Sequence, residues 1–400
     1  MGTDSGRLPL AEALRRALAG DAGLQAALAR VELALAEADQ ARLLANPLLT
    51  LVVRFPEGGG AADVEAGLSQ DLLSFLGRSQ RIDAADERLR AAVAEAVHTS
   101  LDVVSSLRER YAAVQALDEL VPLLEERRTT LARLVELARA RLAAGEAARL
   151  DVTSLETRAV ELELEIEERR AERTDAHLAL ARALGLPLAQ PEWELEPWPA
   201  PVAELGDEGA WIATALARRP ELEVLRRELA ALEAEAARAG VAGLEGSTVG
   251  LEAERDGDWS VGPGASVPLP LFDMGGSRRA RARAEVLAAR HALVSAERDV
   301  VSEVRRAWTG LRSAQNALAR VRDELIPLQR ERREQVEAVY LGGEVDVTAV
   351  LLAEQDLQAS QVQLVEFEQR ASLSLVRLER AVGGAGVAPH TGVAENGGAR

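Results

Sequence analysis

The stretch Trp259-Ser260-Val261-Gly262-Pro263-Gly264-Ala265-Ser266-Val267-Pro268-Leu269 alternates. Trp259, Val261, Ala265, Val267 and Leu269 share one parity, and Ser260, Gly262, Gly264 and Ser266 take the other. Side chains of an extended chain project alternately to its two sides. The stretch therefore predicts a strand over about 259–270 with one apolar and one polar face. Three more segments read the same way. Over 47–55, Leu49, Leu51, Val53 and Phe55 oppose Thr50 and Arg54. Over 63–73, Val64, Ala66 and Leu68 oppose Asp63, Glu65 and Ser69. Over 248–254, Val249, Leu251 and Ala253 oppose Thr248, Glu252 and Glu254. Gly58-Gly59-Gly60 and Asp256-Gly257 supply turns for two hairpins.

Such strands suit an outer-membrane barrel, with lipid outside and water inside, and equally a half-buried soluble sheet. The aromatic residues favour the barrel. Three of the four Phe flank the strands: Phe55, joined by Trp259, at the loop end, and Phe75 and Phe272 at the other. That is a sparse girdle at two levels. Four strands cannot close a barrel within one chain, and open edges do not survive in lipid, so closure requires oligomerisation. A strand of nine residues at ~3.3 Å each, tilted by about 40°, reaches only about 23 Å, so a short barrel is expected.

Outside the strands, Ala, Leu, Glu and Arg dominate, the composition of long helices. Aromatics make up 3% of the 400 residues, so buried area must come from Leu, Val and Ala along seams. The stripes Val103, Leu107, Val114, Leu117, Val121 and Leu131, Leu134, Val135, Ala138, Leu142 are coiled-coil-like, as are Val301, Val304, Trp308 and Leu311. One helix is expected over 9–45, stopped by Asn46-Pro47, and a very long one over 78–144, spanning roughly 100 Å. Pro122 and Pro327 are expected to interrupt and kink the long helices. Val160, Leu162, Leu164 and Ile166 alternate like a strand, but Leu155, Ala159, Leu162 and Ile166 form a helical stripe, and helix is the reading adopted.

Two copies of one pattern are present. Leu142-Ala143-Ala144-Gly145-Glu146 matches Tyr340-Leu341-Gly342-Gly343-Glu344 at an offset of 198. The same offset pairs Leu18 with Leu216, Gly77 with Gly275, Arg81 with Arg279, Val152 with Val350 and Glu156 with Glu354. Each copy, 6–185 and 207–383, runs helix, strand, strand, long helix, helix. Hairpin tips fall at about 143–150 and 341–348. A Pro/Trp-rich segment, 186–206, joins the copies as a plain connector, and the Gly-rich tail 384–400 is expected to be disordered.

Pro268-Leu269-Pro270-Leu271-Phe272-Asp273-Met274-Gly275-Gly276 leading into a helix, Tyr340-Leu341-Gly342-Gly343-Glu344 followed by Val350-Leu351-Leu352-Ala353, and Asn46-Pro47 before the first strand resemble the TolC-like outer-membrane efflux protein family (outer membrane factors). The resemblance covers about 10–383. It implies a mainly α chain with a small β-barrel portion, forming a homotrimer with a helical periplasmic tunnel of long antiparallel coiled-coil hairpins. It also implies a passive duct in the outer membrane, with a periplasmic adaptor protein and an inner-membrane transporter of resistance-nodulation-division type as partners. In such proteins an acidic residue after the tip glycine lines a constriction. Asp151 matches that position in the first copy; Ala349 stands there in the second, with Asp346 three residues earlier. Asp346 reads more simply as a solvated loop charge, and Asp151 equally as a helix cap. The lipid-facing set would be Leu49, Leu51, Val53, Trp259, Val261 and Val267, and the tip turns Gly145 and Gly343. The Gly-Glu tips resemble heavy-metal efflux members, although no His or Met cluster supports metal handling, and the substrate stays open.

The net charge of −18 disfavours nucleic acid as a partner. With no Cys there is no disulfide, thiolate metal site, catalytic thiol or lipid-modified Cys. His98, His177, His291 and His390 have no ligand spacing, and neither a nucleophile motif nor a phosphate-cradling loop with Lys occurs, so no enzyme, cofactor or metal is expected. Met1–Ala19 carries five charges and no unbroken apolar run, so an export signal is not read there. The competing readings are a soluble coiled-coil scaffold and a periplasmic adaptor. Neither accounts for paired two-faced strands at equivalent places in two copies.

Overall fold

The computed structural model describes residues 6–55, 62–186, 193–198, 205–239, 246–256, 258–269, 274–342, 344–345 and 347–384. The chain runs β1 (Arg7–Leu8), α1 (Leu10–Gly20), α2 (Ala22–Arg42), β2 (Leu48–Arg54), β3 (Asp63–Asp71), a single turn α3 (Leu73–Leu76), α4 (Arg78–Ala143) and α5 (Arg149–Ala183). It continues β4 (Glu194–Leu195), α6 (Glu208–Arg218), α7 (Pro220–Arg238), β5 (Thr248–Asp256), β6 (Asp258–Ser266), α8 (Gly276–Arg320), a π-helical turn (Val321–Leu325), α9 (Ile326–Leu341) and α10 (Val347–Val382). Two compact units result, one within residues 1–24, 100–219 and 300–400, the other within 25–99 and 220–299.

The two-repeat architecture is written in the element bounds. A shift of 198 carries α1 onto α6 from first residue to last, the starts of α2, α4 and α5 onto those of α7, α8 and α10, and the end of α4 onto the end of α9. The helix ends match in their hydrogen bonds too. Leu186 N–H donates to the Ala181 carbonyl at 2.9 Å, and its counterpart Gly384 donates to Glu379 at 2.8 Å.

The helix read over 9–45 is in fact two. Asp21 is extended (φ −72°, ψ 118°), and its Oδ1 accepts the Leu24 N–H at 2.8 Å, capping α2. At the equivalent break Arg219 is extended, and Pro220 opens α7 where no N–H is needed. The two prolines of the long helices differ: the interruption expected at both occurs at Pro327 alone. α4 continues through Pro122. Pro327 has no N–H to offer the carbonyl four residues back, and the chain answers with the π-helical turn just before it, where Ile326 N–H reaches Val321 O.

In the first unit the seams read from sequence are buried. Leu117, Leu124, Leu131 and Leu134 of α4 meet Leu162 and Ile166 of α5 and Val362 and Val365 of α10. Burying each such side chain contributes about 1.5–3 kcal/mol. Val160 and Leu164 stay exposed, so the alternation over 160–166 is one helix face and its opposite. The 193–198 segment is more than a connector. Trp193 is buried with Leu8, Ala17, Leu107, Tyr111 and Leu180. Tyr111 donates its hydroxyl to the Leu8 carbonyl and accepts the Glu196 N–H, each at 2.8 Å, while β1 and β4 pair in parallel. The connector prolines 187, 191, 199 and 201, and the tail from 385, lie outside the described residues.

In the second unit β2, β3, β5 and β6 form one antiparallel sheet in that order. Ala38 and Ala41 of α2 pack on Ala85 of α4. Arg78 and Arg81 donate to the carbonyls of Ala41, Arg42 and Leu43 at 2.8–3.0 Å, closing the end of α2. No described helix is long and apolar enough to cross a membrane.

Candidate functional site

The register of the sheet decides which side chains share a face. Leu49, Leu68 and Leu251 stand in one cross-strand row ending at Pro263, and Leu51, Ala66, Ala253 and Val261 in the next. Val53, Val64, Arg255 and Trp259 form the row nearest the hairpin ends. This apolar face is uncovered: Leu49 and Val261 are each 72% exposed and Leu251 59%. Beyond β6, Val267 and Leu269 are exposed as well. Arg255 was not foreseen. The sequence reading ends the third strand at 254, whereas β5 continues to Asp256 and brings Arg255 onto this face opposite Trp259. The loop glycines 58–60, Gly257 and Phe272 lie outside the described residues.

The opposite face is polar and mostly acidic. Glu65 and Glu254 are directly paired on β3 and β5, and Arg54 Nη2 holds Glu65 at 2.9 Å. Glu252 lies across Gly264: a Cβ there would come within 2.4 Å of its Oε1. At Gly250 a Cβ would come within 2.2 Å of the Leu68 carbonyl oxygen, so the strands approach this closely only with glycine.

At the far end of the long helices, Gly145 has φ +77°. Its N–H donates to Leu142 O at 3.0 Å, and Glu146 N–H to Arg141 O at 2.8 Å, a Schellman motif that ends α4. At the equivalent turn Glu344 N–H donates to Val339 O at 3.2 Å. Gly343 and Asp346 themselves lie outside the described residues. Asp151 is exposed in the first turn of α5, and its Oδ2 accepts the Ala148 N–H at 3.1 Å. That is half of a capping box, since Ala148 has no side-chain acceptor to return the bond. Arg141 of α4 reaches Thr348 Oγ1 of α10 at 3.4 Å, a bond between the two copies that no sequence pattern announces.

Charged groups also clip the helices together. Asp118 Oδ1 takes Arg173 Nε at 2.6 Å and His177 Nε2 at 3.0 Å, joining α4 to α5. Burial pushes the Asp118 carboxyl up, but the bonds from His177 and Arg173 outweigh it and hold it below the ordinary carboxylate range. Glu368 of α10 goes the other way. Burial and the neighbouring Glu119 carboxylate raise it, and Arg322 only partly compensates. Among the described residues no group of His, Asp and Glu is arranged to hold a metal ion.

The family described as "Outer membrane efflux protein" matches the chain twice, over residues 13–186 and 211–384. A comparison with curated proteins finds no match. Among solved structures the chain is similar to the outer-membrane channel OprN, with a TM-score of 0.74 at 21% identity, over 94% of this chain and 90% of that one. It is similar to the outer membrane protein VceC from Vibrio cholerae, with a TM-score of 0.71 at 19% identity, over 94% and 96%. It is similar to the Campylobacter jejuni CmeC outer membrane channel, with a TM-score of 0.74 at 15% identity, over 94% and 85%. At these identities the likenesses are of fold.

Proposed function

The chain belongs to the outer membrane efflux protein family, and from that premise we propose that three copies close a single twelve-stranded barrel whose apolar face meets lipid. As a member of the family it is an outer-membrane duct of a tripartite efflux or secretion system, extending into the periplasm, and not an enzyme. Such a duct conducts passively, by shape and charge, in company with the other components of its system. The soluble scaffold is set aside, because it leaves the uncovered sheet face without a role.

The observation that carries the barrel is the uncovered row Leu49, Leu68 and Leu251 on a sheet whose two edges, β2 and β6, pair with no further strand among the described residues. In water such a face is a liability; in lipid it is solvated, and the edges are satisfied only by closure. Leu49, Leu51, Val53, Trp259, Val261 and Val267 are the lipid-facing set. β5 and β6 are nine residues each, about 23 Å of height at ~3.3 Å per residue and a tilt near 40°, and the exposed Val267 and Leu269 carry the apolar parity beyond β6 toward an apolar band of ~25 Å.

In this reading 6–185 and 207–383 are the two efflux-protein repeats. The turns at Gly145 and Gly343 form the periplasmic tips, and Asp151 lines the opening there, with Asp346 nearby. The partners are a periplasmic adaptor protein and an inner-membrane pump of resistance-nodulation-division type. Light scattering on the detergent-solubilised protein tests the assembly. A trimer is expected; a monodisperse monomer with native β content by circular dichroism overturns it.

A further inference from the structure

Past the sheet the chain changes character abruptly. Leu269 and Met274 are 77% and 72% exposed. α8 then opens Gly276-Ser277-Arg278-Arg279-Ala280-Arg281-Ala282-Arg283, with four arginines and no acid before Glu285. A helix N-terminus is the positive end of the peptide dipoles, so cations are disfavoured there. In α4, the equivalent helix of the first repeat, the arginines of the first turn have a structural use: Arg78 and Arg81 close the end of α2. Such a use does not extend to all of the α8 run. Arg281 pairs with Glu285 at 2.8 Å yet keeps 82% of its side chain in solvent. Arg283 is exposed and makes no ion pair among the described residues. Positions 281 and 283 are about 200° apart around the helix. The arginines therefore form a belt at one level and not a stripe along one side.

The sheet's apolar face supplies the contrast. Between Arg255 at its far end and Leu269 at the near end, that parity carries no charged side chain: Leu49, Leu51, Val53, Val64, Ala66, Leu68, Gln70 and their neighbours in β5 and β6 are all uncharged. Apolar residues predominate from Val267 to Met274, broken by Asp273 alone, and arginines follow within four residues of Met274, which reproduces the change from hydrocarbon to headgroups along a bilayer normal. A guanidinium matches phosphate with two parallel N–H bonds, and the helix N–H groups favour an anion at the same place.

We propose that Arg278, Arg281 and Arg283 bind the phosphate groups of anionic phospholipids in the periplasmic leaflet of the outer membrane. The proposal rests on the barrel reading, which sets this level at the bilayer edge. The phosphate offsets the charge that the helix dipole disfavours, and the belt fixes the height of the duct in the membrane. Each arginine near an anionic surface is worth roughly fivefold in affinity.

The full chain, purified in neutral detergent, is titrated with phosphatidylglycerol or phosphatidylcholine, and bound lipid is counted by native mass spectrometry. Wild type should retain phosphatidylglycerol at least tenfold better than Arg278→Gln/Arg281→Gln/Arg283→Gln, and 20 mM inorganic phosphate should not displace it. The corresponding triple Lys variant should recover most of the binding, which separates charge from misfolding. Equal retention by wild type and the Gln variant overturns the proposal. So does displacement by inorganic phosphate, which would make the belt a free-anion site, and so does loss of the trimer in the Gln variant with no change in lipid bound per protomer, which would make it a subunit contact. Conductance of wild type in planar bilayers is recorded separately. A conducting protein that does not distinguish the two lipids refutes the headgroup belt alone, whereas a protein that never conducts refutes the barrel and the belt with it.

Discussion

Glu65 and Glu254 stand directly opposite each other on β3 and β5, both on the polar face of the sheet. Like charges in that relation destabilise a sheet. Arg54 offsets one of them through its 2.9 Å bond to Glu65, which leaves Glu254 and the nearby Glu252 to set the sign of this face. If the face lines a water-filled lumen, the carboxylates favour cations there. Glu254→Gln should stabilise the hairpin pair by about 0.2–1 kcal/mol and lower cation preference. The measurement is the reversal potential of single channels under a KCl gradient, which should move toward zero. An unchanged potential would place Glu254 away from the conduction path.

The two faces make opposite demands on a charge. Val261 lies in the uncovered apolar face, and Ser260, its neighbour in sequence, on the acidic side. Val261→Arg should cost on the order of 2–4 kcal/mol if it lies at mid-bilayer, and Ser260→Arg much less. Folding into vesicles across a urea series reads the difference directly. Equal losses for the two variants would favour a water-solvated sheet.

The same alternation explains why the strands were legible from sequence and their ends were not. Leu49, Leu68, Leu251 and Val261 carry a period of two that survives any uncertainty of register, because the polar residues between them alternate in step. Strand ends have no such signal: β5 runs to Asp256, and Arg255 came onto the apolar face without warning. The repeat was legible because Gly77 and Gly145 recur at 275 and 343 and Arg81 and Glu156 at 279 and 354, all at one offset. The break at Asp21 was missed because Gly20-Asp21 is tolerable inside a helical pattern, and only the bond from Asp21 to Leu24 makes it a boundary. Bonds between distant helices, such as Asp118 with Arg173 and His177, have no periodicity to announce them. Of the proposed gate, Asp151 was legible by its place after the tip turn, but its bond to Ala148 is a property of the folded turn.

Two carboxyls should give opposite dependences on pH. Asp118 is held below its ordinary value, so its pairing stabilises the fold above about pH 4 and the benefit fades as pH falls through the depressed value. Asp118→Asn should therefore unfold at a lower temperature than wild type at neutral pH, with the gap closing in acid. Glu368 is raised, so the fold favours its protonated form, and that contribution is lost as pH rises from about 4 through the raised value. Glu368→Gln should unfold at a higher temperature than wild type at neutral pH and converge with it in acid. Thermal melts of both variants at pH 7 and in acid check the signs. A Glu368→Gln protein less stable than wild type at pH 7 would show that the carboxylate has a partner in the assembled duct.

Gly145 isolates a backbone effect. Its φ is +77°, and a Cβ built there would meet nothing within 4 Å. Gly145→Ala should therefore cost about 1–2 kcal/mol from left-handed strain alone, with no clash to relieve. Thermal unfolding gives the cost. A neutral outcome would mean that the turn relaxes to another conformation, and the tip should then be more mobile by hydrogen exchange at Glu146.

Asp151 has two separable jobs, and the variants can pull them apart. Its Oδ2 holds the Ala148 N–H at 3.1 Å and so helps to start α5. In a trimer the same three carboxylates would also form a ring at the periplasmic opening, unaccompanied by a second ring because the equivalent position in the other repeat is Ala349. Carboxylates that close repel each other, and a bound cation relieves the repulsion and favours closure. Asp151→Asn keeps an acceptor for Ala148 and removes the charge; Asp151→Ala removes both. The capping bond is worth about 0.3–1.5 kcal/mol, so only the Ala variant should lose stability by that much. Block of single-channel current by divalent or trivalent cations added from the periplasmic side should weaken in both variants alike, by tenfold or more. If Asp151→Asn is blocked with the affinity of wild type, the ring does not exist as a cation site, Asp151 is a cap alone, and the constriction must be sought among other residues of the two tips.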